Sequence, residues 1–368
     1  MSSPIKVSVV ISTRDEGSNL AHTCHAIIND LETFLKPDEF ELILVHNNPT
    51  DSMGYRYLME RGMFNYRTIR VLFDPIAGNV TARNKGAKLA KGKYLFFSDA
   101  HMSYRIGSFK AMINALDEYG GMVHPSVQWM GGYDPSGRNY QYSIKLGEKI
   151  WGTWNNRIVG DGTKPFYIPI CGHCCLGVLR EQFEQFEGYN DYFRCYGGGE
   201  VYLDIKWWML GSTVMCVPSA VGYHLSAGRG YNFYQNDLIH NMMLLGYALG
   251  ADAMAERVYL RYLAKQGVSN ETLLALHTQA LDEARHDREI LLPKTTKSFY
   301  DCITDRSWDA KNMELHGKAN SGILIYDRTW TTTLTDEARA LFDASPLQAE
   351  LQKRIDSEWS HLVYQGIA

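Results

Sequence analysis

The chain has 368 residues, of which 45% are hydrophobic and 21% charged, and its formal net charge at pH 7 is -4. This length and composition exclude a small disulfide-stapled scaffold and a mainly disordered chain, because there is enough apolar material for a large core. The slightly negative charge excludes a general attraction to nucleic acid or anionic membranes, so such a contact would need a local basic patch.

The first residues and the cysteines bear on the compartment. The segment MSSPIKVSVVIST lacks the basic-then-apolar pattern of a signal peptide, and no window reaches the roughly 18 apolar residues of a membrane span. The 7 cysteines are an odd number, and Cys24, Cys195 and Cys216 lie in apolar segments. This is typical of reduced, buried thiols. We therefore expect a cytoplasmic protein with no membrane span.

Strand and helix patterns alternate through the first hundred residues. Apolar runs predict strands at residues 5–12, 40–45, 69–73 and 94–97. Helical spacing of apolar residues predicts helices at residues 20–35 and 80–89. This order predicts an α/β, Rossmann-like domain with a mostly parallel central sheet, in which ligands bind at the carboxyl ends of the strands.

The remainder of the chain changes character twice. Residues 120–230 are rich in Gly, Tyr and Trp and contain only short strand-like pieces, which predicts irregular, loop-bearing structure forming a cleft wall. From about residue 234 apolar residues recur at helical spacing, and a last helix is predicted at residues 336–364. We expect one domain at residues 1–245 and a mainly helical accessory region at residues 246–368.

Four segments near the ends of predicted strands carry a family resemblance. They are VSVVISTRDE at 7–16, ELILVHNN at 41–48, ARNKGA at 82–87 with FFSDAH at 96–101, and GGGE at 197–200 with VGYH at 221–224. Their order and spacing resemble family 2 glycosyltransferases of the GT-A fold, most closely the polypeptide N-acetylgalactosaminyltransferases. The resemblance covers about the first 230 residues. It implies that residues 1–245 form a catalytic domain that uses a nucleoside-diphosphate sugar.

A metal site is the most specific expectation. Asp99 and His101 follow a hydrophobic predicted strand, and side chains two residues apart in extended chain point the same way. A carboxylate and an imidazole so placed can bind Mn²⁺ or Mg²⁺, which would neutralise the charge developing on a diphosphate leaving group. The resemblance implies that His224 completes the site, although relatives usually have Val-Gly-His rather than Val-Gly-Tyr-His. Taken alone, His224 is better explained as a structural histidine.

The resemblance also implies residues that bind the donor. They are Thr13, Arg14 and Glu16 at the nucleoside, Arg83 near the base and phosphates, the metal ligand Asp99, and Gly172 beside the donor sugar. Relatives end the second strand in Val-Asp-Asp, whereas this chain has Val45-His46-Asn47-Asn48. We expect a UDP-sugar despite Asn48, because the surrounding loop and Arg83 resemble the UDP-binding pattern. The Asn48 carbonyl can accept a hydrogen bond from the uracil imide, although an amide can also donate. Arg229, in a segment with the composition of a mobile lid, would contact the diphosphate.

Glu200 follows three glycines and opens a predicted helix. A carboxylate there can bind sugar hydroxyls or act on the acceptor, and it is also favoured by the helix dipole. Inverting family 2 members have an Asp next, which acts as general base, but here Val201 follows. Asp204, one helical turn on and on the same face, is a poorer candidate base. The missing base resembles the retaining branch, in which the departing phosphate takes the acceptor's proton.

We therefore expect a metal-dependent, retaining glycosyltransferase with a saccharide or protein hydroxyl as acceptor. One alternative is a phage-type DNA glycosyltransferase acting on hydroxymethylated bases. Arg257, Arg261 and Lys265 share one predicted helix face and would contact DNA phosphates if they lined a groove, but Glu256 and the net charge favour a solvated face. The second alternative is a non-catalytic nucleotide-sugar-binding protein, which the intact candidate site argues against.

Overall fold

One half of the central sheet is built from four parallel strands. The computed structural model describes residues 4–47, 53–60, 62, 68–130, 141–146, 152–156, 158–225, 234–263, 267–304 and 307–318. The strands are β1 (Val7–Thr13), β2 (Phe40–Asn47), β3 (Ile69–Asp74) and β4 (Tyr94–Asp99), and the helices between them are α1 (Ser18–Leu31), α2 (Met53–Glu60) and α3 (Asn79–Leu89). Their spatial order is β3-β2-β1-β4. The four predicted strands and two predicted helices are confirmed, whereas α2, only two turns long, has no clear signal in the sequence.

These strands are apolar along most of their length because both faces of the sheet are covered. Successive residues of β1 point to opposite faces, so Val9 packs against α1 and Val10 against α3. All eight residues of β2 are buried. The strand ends are therefore the places where polar side chains can reach solvent.

The middle of the chain forms the second half of the sheet. Its elements are β5 (Met102–Tyr104), α4 (Ser108–Tyr119), β6 (Met122–Trp129), β7 (Ser143–Leu146), β8 (Gly152–Asn155), β9 (Phe166–Tyr167), β10 (Cys175–Leu179), α5 (Arg180–Gln185), α6 (Gly199–Met209) and β11 (Val214–His224). β10 lies between β4 and β6, antiparallel to both. β11 runs parallel to β6 and antiparallel to β5 and β9. β7 and β8 pair apart from this sheet.

The prediction of irregular structure at residues 120–230 is thus wrong where β6, β10 and β11 lie. The physical reason is clearest in β6, whose buried positions include His124, Ser126 and Gln128. His124 bonds the Cys175 carbonyl and Ser126 bonds the Ala220 carbonyl. Hydrogen bonds to the neighbouring strands offset part of the cost of burying these polar side chains, so the strand is buried without an apolar sequence pattern.

The helices after β11 continue the same core. They are α7 (Gln235–Ala248), α8 (Asp252–Leu263), α9 (Asn270–Glu283), α10 (Phe299–Thr304) and α11 (Ser307–His316), with a π-helical turn at Asp287–Leu291 and a 3₁₀ turn at Leu292–Lys294. Apolar residues of α7 to α11 join the core cluster that contains α6 and one face of the sheet. The predicted boundary at 245/246 falls inside α7, and the division into a catalytic domain and an accessory region stays a prediction. The predicted helix at 336–364 lies outside the described residues.

Two further observations concern the environment. Within the described residues no helix is both long enough and apolar enough to cross a membrane. All seven cysteines lie in the described part of the chain and are buried thiols outside any disulfide bond.

Candidate active site

A pocket of about 450 Å³ opens at the carboxyl ends of β1 and β4. Thr13 at the end of β1, Asp99 at the end of β4 and His224 at the end of β11 line it. Glu200, in the first turn of α6, lines it from another direction. The polar residues at these ends of the elements therefore share one cavity, as the parallel sheet predicts.

Asp99, His101 and His224 come together in this pocket. Their ligand atoms all lie within 4.8 Å of one another. Asp99 Oδ2 is 3.5 Å from His224 Nε2 and 4.0 Å from His101 Nε2. The antiparallel pairing of β11 with β5 places His224 opposite Met102, so the sheet register itself brings His224 beside His101. The extra tyrosine in Val-Gly-Tyr-His does not prevent this approach.

The three side chains fit a divalent cation. One carboxylate and two imidazole nitrogens suit Mn²⁺ or a similar borderline cation. Glu16 Oε1 lies 3.0 Å from His101 Nδ1, so Nδ1 can donate its proton to Glu16 when a cation takes Nε2 of a neutral His101. A carboxylate that orients a histidine in this way is the usual support of a metal ligand. Glu16, predicted to hold the nucleoside, thus contacts the metal-site histidine.

Arg83 supplies a fixed positive charge at the same place. It is 2% exposed, and one of its guanidinium nitrogens is 3.0 Å from Asp99 Oδ1. The same nitrogen donates to the His173 carbonyl. Burial alone would raise the pKa of Asp99, but the hydrogen bond from His224 and the charges of Arg83 and His101 outweigh it and hold that pKa well below its usual range. Asp99 is therefore ionised at neutral pH.

Glu200 has the opposite electrostatic surroundings. Burial raises the pKa of its carboxyl, and the charge of His173 and a hydrogen bond from the His173 backbone N–H only partly oppose this. That N–H lies 3.2 Å from Glu200 Oε1. Glu200 therefore keeps a proton to higher pH than an ordinary glutamate, which suits hydrogen bonding to sugar hydroxyls.

Asp204 is not placed to act as a base. It is fully buried, it lies outside the pocket lining, and its carboxylate accepts hydrogen bonds from the Cys171 N–H and from His173 Nε2, the latter at 2.9 Å. The helix α6 turns Asp204 inward towards the strand segment before β10. Its prediction as a catalytic residue is corrected to a structural contact of His173.

His173 is a pocket residue that sequence reasoning missed. Its Nδ1 lies 2.9 Å from the Tyr189 hydroxyl, and that hydroxyl lies 3.5 Å from Arg83. A chain of buried polar contacts thus runs from Asp204 through His173 and Tyr189 to Arg83. These four residues are far apart in sequence, so no local pattern could have revealed it.

The remaining predicted donor-binding residues have varied locations. Thr13 and Arg14 line the pocket. Gly172 lies beneath Trp154, since a Cβ at position 172 would be 1.9 Å from the indole ring, and Trp154 itself lines the pocket. Asn48 and Arg229 lie outside the described residues.

Asn47, which precedes Asn48, lies within the described residues, and its side chain holds the backbone of a turn. It is buried, and its side chain bonds the Ile76 carbonyl and accepts a hydrogen bond of 2.8 Å from the Gly78 N–H. It therefore shapes the turn that leads into α3.

The strand order, with a polar cavity at the strand ends, agrees with the GT-A fold expected from the sequence motifs. Residues 8–186 match the family described as Glycosyl transferase family 2. This match covers a little under half of the chain, and over these residues the chain is similar to a glycosyltransferase family 2 domain.

Curated relatives agree with this assignment. The chain is 26% identical over 247 residues to the putative polypeptide N-acetylgalactosaminyltransferase 13 of Drosophila melanogaster, an alignment that covers 62% of this chain and 43% of the relative. It is also 26% identical over 242 residues to the probable N-acetylgalactosaminyltransferase 9 of Caenorhabditis elegans, covering 62% of this chain and 41% of the relative. The chain thus aligns with less than half the length of these relatives.

A solved structure supports the fold. The crystal structure of GalNAc-T7 with UDP, GalNAc and Mn²⁺ superposes with a TM-score of 0.58 at 17% identity, covering 84% of this chain and 59% of that one. The GT-A fold expected from the sequence motifs is confirmed.

Proposed function

We propose that this protein is a divalent-metal-dependent glycosyltransferase that moves a sugar from a nucleoside-diphosphate sugar, preferably a UDP-sugar, to a hydroxyl acceptor with retention of anomeric configuration. The observation that carries the proposal is the cluster of Asp99, His101 and His224 facing a polar pocket. Three ligands of this chemistry within 4.8 Å of one another suit Mn²⁺ better than they suit a purely structural contact.

The chemistry needs charge stabilisation at the leaving diphosphate. A bound cation supplies this by neutralising negative charge as the glycosidic bond breaks. Arg83 adds a second positive charge, which is already fixed by Asp99 and the His173 carbonyl and so needs no reorganisation during the reaction. Glu200 binds sugar hydroxyls at the other side of the pocket.

The preference for a uridine donor rests on the loop after β1. Thr13 and Arg14 border the pocket where the family resemblance places the nucleoside. The GalNAc-T7 structure was solved with UDP and Mn²⁺, which makes UDP the first nucleotide to test. The contribution of Asn48 stays a prediction.

Retention of configuration is supported by the acids around α6. Asp204 points into the core, and the residue after Glu200 is Val201, so α6 offers Glu200 as its carboxylate at the pocket. Since no second carboxylate of α6 lines the described pocket, the proton of the acceptor hydroxyl passes to the departing phosphate oxygen on the same face of the sugar. The acceptor then takes the position that the phosphate leaves.

The acceptor is proposed to be a hydroxyl of a saccharide or protein. Trp129 and Trp154 line the pocket beside His224, and aromatic faces are suited to stacking on sugars. The DNA alternative stays a prediction, because Lys265 and the side chain of Arg257 lie outside the described part of the chain. A cytoplasmic location likewise stays a prediction.

The test is donor hydrolysis and binding with a panel of UDP-, GDP- and ADP-sugars, beginning with UDP-GalNAc, in Mn²⁺ and in EDTA. We expect turnover with a UDP-sugar in Mn²⁺ and none in EDTA. Asp99→Ala should abolish both turnover and Mn²⁺-dependent UDP binding by isothermal titration. Asp117→Ala, which changes an exposed aspartate of α4, is the matched control and should behave as wild type. Wild-type turnover by Asp99→Ala in EDTA would refute the metal assignment.

The product of the same reaction reports the stereochemistry. NMR of the anomeric coupling should show the configuration of the donor. An inverted product would make Glu200 the base and overturn the retaining mechanism.

A further inference from the structure

Asn241, on α7, has its side chain completely enclosed and fully hydrogen-bonded. Its Nδ2 donates to the carbonyls of Arg194 at 2.7 Å, Tyr196 at 3.1 Å and Gly197 at 3.0 Å. Its Oδ1 accepts from the Arg194 N–H at 2.9 Å. A single amide thus replaces the backbone partners that residues 194–197 would have in a regular element.

Residues 194–198, which we call the α6 entry loop, form part of the pocket. Cys195 and Tyr196 line the cavity, and Glu200 follows in the first turn of α6. Gly198 has a φ of 84°, and a Cβ there would lie 3.3 Å from the Asn241 backbone oxygen and 2.8 Å from the Phe193 ring. The loop and α7 therefore approach each other more closely than a side chain at position 198 would allow.

The loop is held from two sides. On the side away from α7, the Cys195 carbonyl accepts a hydrogen bond of 3.2 Å from the N–H of Asn79, another pocket residue. Behind α7, His240 Nε2 lies 2.7 Å from Glu283 at the end of α9. A displacement of α7 would therefore be transmitted to the loop through Asn241.

We propose that Asn241 is a positioning residue for the transfer reaction. It holds the α6 entry loop so that Tyr196 and Glu200 face the donor sugar, and it makes the helices after β11 part of the catalytic apparatus although none of their side chains lines the described pocket. This inference rests on the proposed glycosyltransferase function.

The proposal predicts a separation of binding from turnover. Asp99, His101 and His224 lie on β4, the turn after it and β11, so the three metal-site residues lie outside the loop and make their contacts from other elements. Glu200 and Tyr196 do depend on it. Loss of the Asn241 contacts should therefore lower kcat and leave the affinity for UDP in Mn²⁺ unchanged.

The chain offers a matched control. Asn312, on α11, is also completely buried, donates to the Tyr167 carbonyl at 2.9 Å and accepts from the Tyr167 N–H at 2.8 Å. Tyr167 does not line the pocket. Asn241→Asp and Asn312→Asp each keep the side-chain size and turn a carboxylate oxygen towards backbone carbonyls, so both should lower the melting temperature.

We expect Asn241→Asp to reduce kcat for UDP-sugar hydrolysis by ~tenfold or more, since small misplacements of reacting groups have effects of this order, with an unchanged Kd for UDP. Asn312→Asp should keep the wild-type kcat. Equal kcat for both variants, or a parallel loss of UDP affinity in Asn241→Asp, would overturn the positioning role.

Hydrogen exchange separates this inference from the proposed function. Backbone amides of residues 194–198 should exchange faster in Asn241→Ser, a milder variant that serves if Asn241→Asp does not fold, and not in Asn312→Ser. Unchanged exchange there would refute the holding role even if the enzyme is active. Absence of UDP binding and turnover in the wild type would instead refute the proposed function.

Discussion

Asp99 and Glu200 line the same pocket, yet their carboxyl pKa values move in opposite directions. Both are shielded from water, which disfavours charge. At Asp99 the hydrogen bond from His224 and the charges of Arg83 and His101 overcome burial, whereas at Glu200 burial prevails. Two acids held apart in this way can take separate tasks, one at the cation and one at neutral hydroxyls.

His124 provides a pH prediction at the same scale. Burial lowers its pKa to about 4, although a hydrogen bond to the Cys175 carbonyl opposes this. The ring is completely buried, so protonation would place a positive charge inside the core. In the unfolded chain the histidine pKa is near 6.5, so the side chain is protonated below that pH. In the folded protein the side chain stays neutral down to about pH 4. Stability should therefore fall as the pH drops from about 6.5 to 4, by about 3 kcal/mol from this group.

The measurement compares urea unfolding of wild type and His124→Asn from pH 7 to pH 4. We expect the variant to lose less stability over that window. His22→Asn, at an exposed position of α1, is the control and should follow the wild-type profile. Identical profiles for all three proteins would show that His124 does not titrate in this way.

Local sequence patterns predict only part of the candidate site. Asp99 and His101 are two positions apart after an apolar strand, so local geometry indicates a metal pair. His224 depended on family resemblance, because the sheet register that brings it to His101 has no local signal. His173, Tyr189 and Asn241 act through contacts between distant segments and could not be found from the pattern.

At the scale of elements, helix α4 is capped by another helix. Asp30, near the end of α1, is fully buried and accepts hydrogen bonds from the N–H groups of Gly107 and of Phe109, the latter at 2.8 Å. These amides belong to the N-terminal end of α4, which has no side-chain cap of its own. One carboxylate thus satisfies two amides and fixes how α1 and α4 meet.

Replacing that carboxylate should cost stability without affecting the pocket. Asp30→Ala leaves two amides without partners, and we expect a loss of about 2 kcal/mol in the free energy of unfolding. Asp30→Asn keeps one acceptor oxygen and should lose less. Chemical denaturation, together with UDP binding in Mn²⁺, checks both points. An Asp30→Ala protein as stable as wild type would contradict the capping role.

Elements were predictable where the environment is uniform. The strands β1, β2 and β4 are largely apolar because helices cover both faces of the sheet. The alternation of strands and helices could therefore be predicted from the hydrophobic pattern. In β6 the buried side chains of His124 and Ser126 form hydrogen bonds to backbone carbonyls of β10 and β11. Polar residues therefore occupy core positions in this strand. Such hydrogen bonds exist only once the sheet has formed. The sequence pattern of β6 therefore did not predict a buried strand.

At the scale of the whole molecule, the helices after β11 complete the hydrophobic core of the catalytic fold. Trp308 of α11 is 1% exposed and packs edge-on against Trp208 of α6, with ring centroids 5.9 Å apart. Phe299 of α10 belongs to the same core cluster. Since α6 begins at the pocket, the core links the site to the helices farthest along the described chain.

A single cooperative unfolding transition should follow from this shared core. Trp308→Ala removes a buried indole and should lower the free energy of unfolding by about 3–5 kcal/mol, although Trp308 lies more than sixty residues beyond the boundary expected from sequence. Urea unfolding followed in parallel by circular dichroism and by loss of UDP binding in Mn²⁺ should give coincident curves, shifted together in the variant. Tyr192→Ala, at an exposed aromatic position, is the control and should unfold as wild type. Two separate transitions, or a variant in which only part of the circular dichroism signal shifts, would show that the helices form an independent domain.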